Sequence, residues 1–202
     1  KIQSYLKKAK KLNSLSIKSN YEDLKTADYV VIAVNLDLKG NENKPKINFS
    51  NLIKITNIIG ASIKKDATII LETTVPPGTC DTIIMPIILK NFKIRQIKTA
   101  PNIIHSYERV TPGKNYIKSI KKSFRIYSSS NKEAEKKFKF LYRDVIDLKK
   151  FSLIKLDKFI ESESAKILEN SYRAVNIAFI QEWTHFSLEN KLSISKILNG
   201  KV

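Results

Sequence analysis

Two short runs, YVVIAV at 29–34 and ATIIL at 67–71, are continuously apolar and rich in β-branched residues. Strands without polar alternation are buried on both faces, the condition of a parallel sheet with helices on either side. Between and after them the period changes. Residues 49–62 set Leu52, Ile53, Ile55, Ile58 and Ile59 at helical spacing, and 79–90 set Ile83, Ile84, Ile87 and Ile88 on one face. Residues 131–142 do the same with Ala134, Phe138 and Leu141. An opening helix over 1–12, a short strand at 15–17, a helical turn at 21–27 and further strands at 96–99, 124–127 and 145–148 complete the expectation. The fold class is therefore α/β, a Rossmann-like, doubly wound parallel sheet, followed by one long helix from about residue 156 to at least residue 190. The expected boundary divides residues 1–152 from a central helical element at 153–202.

Composition narrows the function classes. Lys and Arg number 37 against 19 Asp and Glu, a net charge of +18. Charge of that size suits a nucleic-acid partner. The lysines, however, are scattered and not interleaved with stacking aromatics, so the reading is solvated faces, with a basic nucleic-acid binder as a minor alternative. No run is long enough to cross a bilayer, and no apolar signal segment opens the chain. Cys80 is the one cysteine, which excludes an internal disulfide and suits a reducing, cytoplasmic setting. His105 and His185 have no partner at metal-ligand spacing, so both read as non-ligands and no metal is expected.

Three segments carry candidate chemistry. On a helix, Lys166, Asn170 and Arg173 fall at i, i+4 and i+7, a single narrow face. They offer an ammonium, an amide and a planar guanidinium, groups suited to a phosphorylated or hydroxyl-rich ligand. Leu168, Tyr172, Val175, Phe179 and Trp183 fall roughly opposite and would anchor the helix. The bland alternative is a wet polar stripe. Parallel sheets bind ligands beyond the carboxyl ends of their strands. There stand residues 33–37 and the segment ETTVPPGT at 72–79, where the Thr73 and Thr74 hydroxyls would face the crevice. Gly78 permits an unusual φ, and Thr79 could serve only as N-cap. The third, at 105–113, is expected as a loop with Glu108 and Arg109 side by side; an ordinary surface ion pair would explain it equally.

Together, ETTVPPGT (72–79), SYERVTPGK (106–114) and SESAKILENSYRAVNIAFIQEW (162–183) resemble the nucleotide-sugar 6-dehydrogenases, the UDP-glucose/GDP-mannose dehydrogenase superfamily. The likeness is greatest to the branch acting on UDP-N-acetylhexosamines for surface polysaccharides. The blocks come in family order and span essentially the whole chain. The resemblance implies an NAD-dependent, two-step oxidation of the sugar C6 alcohol to a carboxylate through a cysteine thiohemiacetal and thioester. It implies catalytic roles for Thr74 and Glu108 around the reacting water, and for Lys166 and Asn170 in stabilising oxyanions. It assigns UDP-sugar contacts to Arg109, Val110, Lys166, Asn170 and Arg173. Cofactor contacts fall to Val34, Asn35, Leu36, Thr73 and Thr74, and a homodimer would form through the central helix.

The departures set further expectations. The family's opening GxGYxG has no counterpart among the glycines at 40, 60, 78, 113 and 200. Leu36 stands where most relatives carry a Thr, and Tyr107 where Pro is commoner. The family's nucleophilic cysteine lies in a Gly-rich block that the chain does not contain, and Cys80 reads as structural. The expectation is a middle slice of such an enzyme, inactive alone, without membrane association. A non-enzymatic dimerising or scaffolding remnant is the rival.

Overall fold

In the computed structural model, residues 2–41, 45–110, 113 and 115–200 are described. Helix α1 (Ile2–Lys11) leads through a 3-10 turn at Glu22–Lys25 to strand β1 (Tyr29–Ile32). A short antiparallel hairpin, β2 (Asp37–Lys39) and β3 (Lys46–Asn48), precedes α2 (Ser50–Ser62), β4 (Thr68–Leu71) and a helix that starts with a π segment at Cys80–Ile84 and continues as α3 (Met85–Ile94). Then come β5 (Asn102–His105), α4 (Tyr116–Lys121), β6 (Arg125–Ser129), α5 (Lys132–Tyr142), β7 (Leu153–Lys155), α6 (Phe159–Glu189) and α7 (Ile194–Asn199).

The main sheet has five strands in the order β1-β4-β5-β6-β7. Its β1/β4, β4/β5 and β6/β7 pairs are parallel, whereas β5/β6 is antiparallel, so the expected α/β sheet carries one reversed step. Side chains alternate across a strand. Accordingly Ile69, Leu71 and Ile103 join Leu52, Ile59, Ile84 and Ile88 in one core, and Ile70 and Ile104 join Tyr127, Phe138 and Tyr142 in a second. That double cover explains the unbroken apolar run of β4. In the second core, Phe138 stacks between Tyr127 and Tyr142 at centroid distances of 4.7 and 4.3 Å. On the first, Gly60 brings α2 against α3; a Cβ there would meet the Asn91 Cβ at 2.9 Å.

Several local expectations fail for identifiable reasons. Residues 15–17 form no strand. Residues 96–99 are the exit from α3: Gln96 adopts φ 57°, and the Ile97 N–H returns to Phe92 O at 2.8 Å, a helix-closing motif. The strand follows it, and His105, expected in a loop, is the last residue of β5. Residues 145–148 are likewise a turn, with the Val145 and Ile146 N–H groups returning to Tyr142 O; the strand lies at β7. Burial on both faces holds for β4, but β1 ends the strand order and leaves Val31 47% exposed.

The chain divides into two compact units, up to Glu163 and from Ser164 on, so the division falls inside α6. In the second unit the apolar face of α6 is not an anchor: Leu168 and Tyr172 are each 71% exposed, and Val175, Phe179 and Trp183 are also exposed. Trp183 makes edge contacts with Phe179 and Phe186 along this face.

Candidate functional site

Beyond the carboxyl ends of β1 and β4 the chain opens a cleft of about 460 Å³, lined by Val34, Asn35, Leu36, Glu72, Thr73, Thr74 and Glu108, with Ala33 and Asp37. A larger hollow of about 600 Å³ lies at the opposite strand ends, beside Lys65, Asn102, Asn131 and Lys137. Parallel sheets present their ligand crevices at the carboxyl ends, so the smaller cleft is the candidate site.

Its walls extend the sheet ladder. The Glu72 N–H bonds to Ile32 O at 2.9 Å and the Ser106 N–H to Leu71 O at 3.0 Å. Thr73 is buried and its hydroxyl donates to Val34 O at 2.8 Å, which ties the two strand exits together. The expectation that both threonine hydroxyls face the crevice is therefore corrected for Thr73, whose proton is committed to the backbone; Thr74 is exposed in the cleft. Glu108, half-buried, accepts the Val110 N–H at 2.8 Å. Arg109 sets its guanidinium 4.0 Å over the Phe124 ring. Thr111, Pro112 and Lys114 of the same block lie outside the described residues.

Thr79 supplies no side-chain cap: it already has helical backbone angles (φ −61°, ψ −42°), and its hydroxyl donates to Pro76 O at 2.7 Å. The cap comes from far along the chain. Glu163, fully buried near the start of α6, accepts the Gly78 N–H at 2.5 Å and the Cys80 N–H at 2.8 Å. A carboxylate on unsatisfied N–H groups at a helix start is favoured by hydrogen bonding and by the helix dipole. Gly78 sits at φ +90° with open space where a Cβ would be, so backbone conformation, not crowding, requires glycine. Cys80 is wholly buried; burial first, then the Glu163 carboxylate, push its thiol well up, which fits a structural role.

Next to the cleft, His105 Nδ1 lies 2.7 Å from Ser162 Oγ. Burial, aided by the Arg125 guanidinium, pulls its pKa down to about 4. Arg125, inside β6, is buried and reaches Glu72 and Ser106. Sequence reading missed Arg125, Glu163 and Ser162. One signal was there for Arg125: an arginine within an apolar strand is buried only with a partner.

The structure thus gathers Val34, Asn35, Leu36, Thr73, Thr74 and Glu108 around one cleft. Lys166, Asn170 and Arg173 stand in a row on α6 in the second unit, with Asn170 and Arg173 exposed and Arg173 3.4 Å from Glu169. Among the described residues no cluster of three or more metal-ligating side chains occurs, and no helix is long and apolar enough to cross a membrane.

Residues 1–146 match the NAD binding domain of the UDP-glucose/GDP-mannose dehydrogenase family. The chain belongs to that family. Among curated relatives it is 28% identical over 182 residues to UDP-N-acetyl-D-mannosamine dehydrogenase of Pyrococcus horikoshii, covering 90% of this chain and 41% of that protein. It is 31% identical over 177 residues to UDP-N-acetyl-D-glucosamine 6-dehydrogenase of Pseudomonas aeruginosa, covering 86% and 39%. The chain therefore spans about two-fifths of the length of these relatives. The solved P. horikoshii UDP-N-acetylmannosamine dehydrogenase superposes with a TM-score of 0.82 at 24% identity, over 97% of this chain and 44% of that one, a likeness of fold. The family domain indicates NAD. The lining of the cleft fits it: Val34 and Leu36 offer half-buried apolar surface for a flat ring, and the exposed Asn35 and Thr74 offer polar groups for an amide or ribose.

Proposed function

We propose that this chain supplies the cofactor cleft and part of the substrate site of an NAD-dependent enzyme that oxidises the C6 alcohol of a UDP-N-acetylhexosamine to a carboxylate. The observation that carries the reading is the cleft itself, in which Thr74 and Glu108 meet the strand exits at 33–37. The names of the relatives supply the substrate class. NAD, when bound, accepts hydride. In the reading, Val34, Asn35, Leu36, Thr73 and Thr74 hold the cofactor. Thr74 and Glu108 orient and deprotonate the water whose oxygen enters the carboxylate, since a carboxylate hydrogen-bonded to a backbone N–H is a fixed general base. Lys166 and Asn170 offer positive charge and an amide donor to a developing oxyanion. Arg109, Val110 and Arg173 grip the sugar nucleotide. The activity belongs to a polypeptide of the relatives' length, and these residues alone produce no NADH.

Calorimetric titration of UDP-N-acetylglucosamine into the chain, beside Lys166→Ala, tests the substrate assignment. Binding that the variant loses supports it; equal binding by both proteins removes Lys166 from the site. The same reading divides the protein into 1–152 and 153–202 and has a second copy cover the apolar face of α6, where Tyr172, Phe179 and Trp183 stand exposed. Sedimentation should then show a dimer that Phe179→Glu dissociates.

A further inference from the structure

We infer that Arg125 is the positioning residue that couples the two walls of the cleft, one bearing Thr73 and Thr74, the other bearing Glu108. The inference rests on reading that cleft as the cofactor site.

The two walls leave the sheet on different strands. The first begins at Glu72, directly after β4, and the second at Ser106, directly after β5. Arg125, on β6, reaches both. Its Nη2 donates to Glu72 Oε1 and to Ser106 O at 3.3 Å, and its Nε donates to Ser106 Oγ at 3.0 Å. Each end is held again. The Tyr142 hydroxyl donates to the same Glu72 oxygen, and Arg125 Cζ stacks 4.7 Å over the Tyr142 ring. The Ser106 hydroxyl donates to Ile126 O at 3.0 Å, so its oxygen is turned towards the Arg125 Nε–H.

Side-chain exposures of 7% for Arg125 and 19% for Glu72 make this a largely dry ion pair. Such a pair is a poor source of net stability, because desolvation offsets much of the attraction. What it provides is geometry. A guanidinium fork fixes two partners in one plane, and a lysine ammonium in the same place would hold Glu72 as a point charge without reproducing the fork on Ser106. From Glu72 the constraint passes in one residue to Thr73, and from Ser106 in two residues to Glu108.

The test is the amide spectrum of the intact chain, for the wild type, Arg125→Lys, Arg125→Met and Ser106→Ala, each then titrated with NADH. Coupling predicts that Arg125→Met displaces the amide signals of Thr73, Thr74, Glu108 and Val110 together. The Ala134 amide, bound to Asn131 Oδ1 at the start of α5, serves as a remote control and stays in place. Arg125→Lys should keep the first wall near its wild-type position and lose the second. Ser106→Ala should move the second alone. Affinity for NADH should fall by about tenfold or more in Arg125→Lys, the scale of misplacement effects in binding sites. Signals of both walls unchanged in Arg125→Lys and Ser106→Ala would overturn the inference, even if Arg125→Met fails to fold. A wild-type chain with no affinity for NADH would remove the cofactor reading, while the amide signals would still decide the coupling.

Discussion

His105 makes a sharp prediction about pH. In the folded chain it is buried between β5 and the first turn of α6, beside Ser162, with the Arg125 guanidinium near and the Tyr107 ring 6.5 Å away. Burial first, then the arginine, lower its pKa from 6.5 to about 4. The unfolded chain binds this proton more readily than the folded one, so the contribution is intact above the unfolded value of 6.5 and is lost as pH falls towards 4. The full loss is about 3 kcal/mol, and most of it has occurred by about pH 4.5. Urea unfolding at about pH 7.5 and about pH 4.5 measures this. The control is His105→Asn, whose amide nitrogen can occupy the place of Nδ1 and which does not titrate. The variant should be weaker at neutral pH, and the gap between it and the wild type should narrow by about 2–3 kcal/mol at the lower pH. A wild type and variant with parallel pH dependence would refute the account of a neutral, buried imidazole.

Two further stability predictions concern the turn after β4. Glu163→Ala leaves the Gly78 and Cys80 N–H groups without their carboxylate, at about 1–3 kcal/mol each, so a loss of about 2–6 kcal/mol in urea unfolding is expected, with Glu163→Gln recovering part. A loss below about 1 kcal/mol would show that this cap contributes little. Gly78→Ala meets no atom within 4 Å but forces a non-glycine residue to φ +90°, and should cost about 1–2 kcal/mol. A neutral result would show that the turn relaxes to another conformation.

What was legible in the sequence was local. The β4 run, the helices α2 and α5 and the long α6 each announce themselves within a few residues, through period and length. The cleft at the strand exits followed from the parallel arrangement, because topology rather than side-chain detail places it. Connections between distant residues left no such trace. Glu163 caps a turn 85 residues earlier, and Glu72 pairs with an arginine 53 residues later. Thr79 had the residue type of a cap, yet a buried carboxylate took the place. Strand positions at 96–99 and 145–148 failed because short segments beside a helix end also serve as its closing turn. The row Lys166, Asn170, Arg173 was legible as a face, but period alone could not say that the opposite apolar face would stand exposed.

The most direct measurement is NADH titration of the chain against Thr74→Glu, which places a bulky carboxylate in the cleft. The account predicts saturable binding by the wild type that the variant loses, while Glu133→Gln, on the exposed start of α5, binds as the wild type does. Binding that survives Thr74→Glu, or no binding by the wild type, would contradict the claim that the exits of β1 and β4 form the cofactor site.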